Sequence, residues 1–136
     1  MALIFDTGPL VALLDVTDPE HERCAALVAT SQERRLVPVC VLVEVEYLLR
    51  PWPRAFAGLL ADLERGAFEL LDLPKRWLLR AGELVERYSD CSLGLVDATV
   101  IAAAEMLDEP KLATLDRRHF ATVRPCHCEA LQLLPE

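Results

Sequence analysis

The sequence predicts an α/β domain: a central, mostly parallel sheet of four to five strands flanked by helices. Two observations lead there. Short apolar runs of strand length alternate with longer helical stretches along the whole chain. The first run, Leu3-Ile4-Phe5, is continuously apolar, as a strand buried on both faces requires. A third observation sets the scale. The chain has 136 residues, 53% of them apolar, which is enough for one hydrophobic core, so residues 1–136 read as a single domain.

The elements follow in order. After Leu3 to Phe5, Thr7-Gly8-Pro9 turns the chain, with Pro9 suited to a first helical turn, and Leu10 to Leu14 continues a short helix. Thr17 or Asp18 caps a second helix that runs to about Thr30, with Cys24, Leu27 and Val28 facing inward. Leu36 to Val39 is the second strand, although Pro38 cannot donate to a ladder. Val41 to Arg50 is a helix stopped by Pro51 and Pro53. Arg54 to Arg65 is another, ended by Gly66. Phe68 to Leu71 is the third strand. Pro74 opens a helix through Arg87, in which Glu83 and Arg87 have the spacing of an ion pair. A loop from Ser89 to Gly94 leads into the Ala-rich helix Val96 to Leu107, apolar around most of its surface. Lys111 to Leu115 is the fourth strand, and Leu131 to Leu134 a short last one.

Composition narrows the function. Net charge is −8, which argues against a protein that holds nucleic acid through a broadly basic surface. It leaves room for one that grips phosphates through metal ions and a local Arg cluster. No apolar run is long enough to cross a bilayer, and no basic leader precedes an apolar stretch, so the expectation is a cytoplasmic protein. Five scattered cysteines then read as reduced, small apolar residues. Cys126-His127-Cys128 lacks the further ligands that a structural zinc needs.

Four acids stand out by their places. Asp6 ends the first strand, Asp116 the fourth, Glu44 lies early in one helix, and Asp97 opens another. In a parallel α/β sheet the C-terminal strand ends and the N-termini of the following helices share one rim, where ligands bind. Each acid also has a plain structural reading. Asp6 fits a solvated turn, while Asp97 and Asp116 fit helix and turn caps. Glu44 has a competitor in Glu46, on nearly the opposite helix face. Glu46 has Arg50 four residues on, whereas Glu44 lies between Val41 and Leu48, where a carboxylate needs a reason to be. Jointly the four make an oxygen-rich ligand set for Mg²⁺ or Mn²⁺, with no histidine in it, suited to phosphodiester hydrolysis.

The stretches Ile4-Phe5-Asp6-Thr7, Val43-Glu44-Val45, Leu93-Gly94-Leu95-Val96-Asp97-Ala98 and Ala113-Thr114-Leu115-Asp116-Arg117-Arg118-His119-Phe120 together resemble the PIN-domain ribonucleases. They resemble most closely the VapC-type toxins of bacterial toxin–antitoxin pairs. The resemblance spans essentially the whole chain. It implies a PIN-like fold, Mg²⁺ or Mn²⁺ held by Asp6, Glu44, Asp97 and Asp116, and endonucleolytic cleavage of single-stranded or looped RNA by activated water. It implies Thr7 and Thr114 as supporting hydroxyls beside the acids. It further implies a homodimer and an antitoxin protein that inserts a segment into the acidic pocket. Gly8 departs from the family pattern, in which Ser or Asn is common after Asp-Thr.

Candidate RNA contacts are Arg117, Arg118 and His119, next to Asp116 on the same rim. Trp52, in Pro-Trp-Pro between Arg50 and Arg54, suits either base stacking or helix packing. Trp77 reads as a packing residue in its helix, and the lone histidines His21 and His127 as surface or core residues. Two other functions compete. A receiver-type phosphoacceptor domain also has an acidic pocket, but neither Lys75 nor Lys111 is placed for one. A catalytically silent PIN-like scaffold is the main alternative, since fold does not fix function.

Overall fold

The computed structural model describes Met1–Glu136. Five strands form one sheet: β1 (Ala2–Phe5), β2 (Arg34–Pro38), β3 (Glu69–Leu71), β4 (Lys111–Ala113) and β5 (Gln132–Leu134). Their spatial order is β3-β2-β1-β4-β5, and every pairing is parallel. Seven α-helices flank it: α1 (Thr7–Leu14), α2 (His21–Thr30), α3 (Val39–Leu48), α4 (Pro53–Glu64), α5 (Lys75–Arg87), α6 (Leu95–Leu107) and α7 (Arg117–Thr122).

β1 lies at the centre and all four of its residues are buried. An unbroken apolar run is what that place demands. α6 contacts β1 and β2, with Val100 to Ala104 fully buried, and α5 packs against α6. Small Ala side chains permit that close approach while supplying strong helix propensity. Phe5 and Phe68 meet edge to face at 5.3 Å across the core.

Several boundaries differ from expectation for identifiable reasons. α1 starts at Thr7 with no intervening turn, because Asp6 takes the N-cap position. α2 starts at His21, after a turn in which Asp15 and Asp18 carboxylates accept from the Thr17 and Glu20 amides. Pro38 is the last residue of β2 and the N-cap of α3, so its missing N–H interrupts nothing. Gly66, at φ +83°, stops α4 in a left-handed conformation that favours glycine.

The Glu83–Arg87 pair is not formed. Glu83 instead accepts from Arg80 at 3.1 Å. Arg80 also grips Glu105 of α6 through two bonds, of 2.7 and 3.0 Å. The Glu105 side chain is only 2% exposed and accepts a third bond, from the Cys126 amide, at 3.1 Å. Burial pushes its carboxyl up, but the Arg80 and Cys126 bonds outweigh that and hold it below the usual range. One buried acid thus ties together α5, α6 and the segment that leads to β5.

Arg35, His21 and His127 have structural posts. Arg35 donates to the carbonyls of Val28 and Ser31 at the end of α2 and to that of Ala67, joining α2 to the approach of β3. His21 Nδ1 lies 2.8 Å from the Ala12 carbonyl and His127 Nε2 2.9 Å from that of Glu109. Trp77 is 7% exposed and packs in the core. No helix is long and apolar enough to cross a membrane.

Candidate metal centre

Asp6, Glu44, Asp97 and Asp116 line one open cavity of about 590 Å³, together with Thr7, Gly8, Leu48 and Leu115. The four carboxylates come from four segments. Asp6 continues β1, its amide donating to the Ala113 carbonyl at 2.8 Å, and then caps α1. Glu44 projects from the middle of α3. Asp97 is the third residue of α6, whose N-cap is Gly94, so it does not cap that helix. Asp116 stands three residues past the end of β4 and caps α7. The chain reverses its winding between β1 and β4, which places the cavity at the topological switch point of the sheet. Three of the acids also sit at helix N-termini, where the aligned peptide dipoles favour negative charge.

Asp116 combines the two roles that the sequence left as alternatives. Its Oδ1 accepts from the His119 amide at 3.2 Å, a helix cap, while its carboxylate lines the cavity. Glu46 behaves differently from Glu44. It pairs with Arg50 at 3.1 Å on the solvent side.

Thr114 couples two of the acids. Its hydroxyl donates to Asp6 Oδ2 at 2.8 Å and accepts from the Asp116 amide at 3.0 Å. Both bonds are directional, so the hydroxyl fixes Asp6 and the start of α7 at once. The Thr7 hydroxyl is buried in the cavity wall with no protein partner. Gly8 has a steric reason. A Cβ there would stand 3.3 Å from the Leu115 side chain, so the first turn of α1 and the β4–α7 connection close on each other.

Asp6 is 5% exposed, and its Oδ1 has no hydrogen-bond partner. Burial pushes its pKa up to about 6. The nearby Thr7 N–H and the Thr114 hydroxyl offset part of that rise, and the Asp97 and Glu44 carboxylates add to it. Asp97 is also raised, by burial first and then by Asp116 and Glu44, against the opposing pull of His119. Like charges gathered in a partly dry cleft are costly. An unpartnered buried carboxylate oxygen and an unpartnered hydroxyl facing one oxygen-rich cavity fit a hard divalent cation.

His119 is where the sequence reading needs correction. The sequence points it at phosphates and outside the ligand set. Its Nδ1 instead turns inward, 2.8 Å from Asp116 Oδ2 and 3.2 Å from Asp97 Oδ2. Asp97, Asp116 and His119 offer three potential ligand atoms within 4.8 Å of one another. The direction comes from the short capped turn at Asp116, which no periodicity in the sequence encodes. Arg117 also departs from expectation, because it donates to the Pro135 carbonyl. Arg118 stays exposed. Trp52 is 55% exposed at the N-cap of α4 and lines a separate cavity with Leu14, Val16, Leu49 and Arg54, so it is not consumed by packing.

Comparison with known proteins bears on the fold and the family. Ribonuclease VapC26 of Mycobacterium tuberculosis is 31% identical over 125 residues, covering 90% of this chain and 93% of that protein. The crystal structure of VapC20 from the same organism, described as a Sarcin-Ricin loop cleaving toxin, superposes with a TM-score of 0.79. It is 20% identical and covers 85% of this chain and 91% of that one. VapBC2 from Rickettsia felis, solved bound to a DNA fragment from its promoter, gives a TM-score of 0.71 at 18% identity, covering 98% and 97%. The PIN domain family's own sequence pattern matches residues 3–124, and with that match the chain belongs to the PIN domain family.

Proposed function

We propose that this chain is a divalent-metal-dependent endoribonuclease, the toxin of a type II toxin–antitoxin pair, working as one domain over residues 1–136. The observation that carries this reading is the convergence of Asp6, Glu44, Asp97 and Asp116 on one cavity, with a buried Asp6 oxygen left free to bind. The likeness to a ribonuclease over nine-tenths of the chain supports the chemistry. The toxin–antitoxin neighbours support a protein antitoxin as partner. A homodimer and a cytoplasmic location, where RNA is met, belong to the same proposal.

In this reading the four acids hold Mg²⁺ or Mn²⁺. When bound, such an ion polarises the phosphoryl oxygen and lowers the pKa of water. The chain does the rest. Asp6 lines the cavity with Oδ1 unpaired while Thr114 holds Oδ2. Asp97 and Glu44 face it from two helices, and Asp116 is fixed by its cap. Thr7 offers a second hydroxyl at the wall. Arg118, exposed two residues after Asp116, is a candidate cation for the RNA backbone.

The test is cleavage of a panel of structured RNAs by the purified protein, with and without Mn²⁺, beside Asp97→Asn. Cleavage should require the ion and vanish in the variant while its circular dichroism stays unchanged. An undiminished rate in Asp97→Asn overturns the assignment. Glu46→Gln serves as a neighbouring control. It loses only an exposed ion pair, so its cleavage rate should stay within about twofold, and stability should change by about 0.5 kcal/mol or less. A large loss of activity would mean that Glu46, and not Glu44, serves the centre.

A further inference from the structure

We propose that His119 is a nitrogen ligand in this centre and biases it toward Mn²⁺ over Mg²⁺. The proposal rests on the metal-site reading above and adds a residue and a selectivity to it.

Three observations carry it. The first is spacing. Neighbouring ligands on an octahedron with bonds of about 2.1 Å stand about 3.0 Å apart. His119 Nδ1 lies 2.8 Å from Asp116 Oδ2 and 3.2 Å from Asp97 Oδ2, on either side of that edge length. The second is rigidity. The His119 amide is bonded to Asp116 Oδ1, so the backbone that carries the imidazole is anchored to one of the acids it faces. The third is independent of the cluster. Asp6 and Thr7 both line the cavity, and each has a buried oxygen, Oδ1 and Oγ1, that no protein group satisfies, so the site is built to hold something else.

The same two short contacts would also suit an imidazole that only donates a hydrogen bond to the acids. The two roles differ in chemistry. A donor keeps its Nδ1 proton and discriminates little between divalent ions. A ligand gives up that proton, keeps the one on Nε2, and adds a donor atom that Mn²⁺ accepts more readily than the oxygen-seeking Mg²⁺.

The experiment is pulsed electron paramagnetic resonance of Mn²⁺ on the chelator-stripped protein, with Mg²⁺ competition titrations on the same samples. The wild type should show ¹⁴N coupling from one directly bound imidazole. The other two histidines, His21 and His127, each face a backbone carbonyl, so the signal reports His119. His119→Ala should lose the coupling. Its Mn²⁺ affinity should fall by about tenfold, the scale for loss of a metal-site partner, and its Mg²⁺ affinity by less. His119→Gln keeps a polar group at the capped turn and should show the same losses if the alanine variant folds poorly. Mn²⁺ bound without nitrogen coupling in the wild type, or an unchanged Mn²⁺ to Mg²⁺ ratio in both variants, overturns the role of His119 and leaves the four acids standing. Failure of the wild type to bind Mn²⁺ at all removes both readings.

Discussion

Asp6→Asn is expected to abolish RNA cleavage and, in the same protein, to raise stability when no metal is present. Asparagine has nearly the shape of aspartate, and its carbonyl still accepts from Thr114. It removes a buried carboxylate of which one oxygen, Oδ1, has no partner. Loss of cleavage should be at least about a hundredfold, the scale for deleting one group that stabilises charge in the transition state. The stability change has the opposite sign. The Asp6 pKa is about 6 in the folded protein against an ordinary 3.8, so the folded state binds that proton more tightly than the unfolded chain does. Its favourable contribution is complete below about pH 3.8 and is lost as the pH rises through about 6. Metal-free wild type should therefore lose up to about 3 kcal/mol over that window, and Asp6→Asn should not. Denaturant titrations of both proteins at pH 4 and 7.5 with chelator check the difference. Adding Mg²⁺ or Mn²⁺ at pH 7.5 should then stabilise wild type more than the variant. Equal pH dependence in the two proteins would mean that Asp6 is not strained by its surroundings.

Glu105→Ala should produce the largest loss of stability. The variant removes three hydrogen bonds at once and leaves Arg80 facing a buried void. Breaking a buried pair from one side costs about 3–5 kcal/mol, because the remaining charge stays desolvated. The Arg80 side chain is 22% exposed and keeps Glu83, so the low end applies, about 3 kcal/mol. For a domain of this size that is roughly 10 °C in Tm. Arg80→Met should cost a similar amount, and the double variant less than the two together. The wild-type contribution is full above the ordinary glutamate value of 4.5 and fades as the pH falls below it, since the folded state holds Glu105 ionised. A thermal melt of Glu105→Ala within a degree of wild type would mean that the pair merely balances its own desolvation.

The sequence carried most of the architecture because the strands are short, apolar and separated by stretches of helical length. β1 is legible from three residues, since a short apolar run that stops at an acid and a turn signal suits a strand covered on both faces. The contrast between Glu44 and Glu46 was legible too, because helical angle and the nearby Arg50 decide it locally. Other features depended on partners far along the chain. Arg80 and Glu105 are 25 residues apart, and no spacing rule joins residues on different helices. Glu83 prefers Arg80 because that guanidinium is already held in place by Glu105. Asp97 looked like a cap because the residue that does the capping is Gly94, one helical turn earlier. The inward turn of His119 follows from a six-residue helix whose entry angle is set by the Asp116 cap. Such angles are properties of the folded backbone and leave no periodic trace.

The position of β1 has a consequence for how the protein comes into being. Synthesis runs from the N-terminus, so Asp6 and the central strand emerge before the other four strands. Its neighbour β4, the Thr114 hydroxyl and Asp116 emerge more than a hundred residues later, and β5 last of all. A ribosome stalled before residue 111 therefore carries a nascent chain that possesses Asp6, Glu44 and Asp97 but neither the strand nor the hydroxyl that holds Asp6 in register. In such a chain the first three acids are present, but the parts that position Asp6 and the fourth acid, Asp116, are still missing.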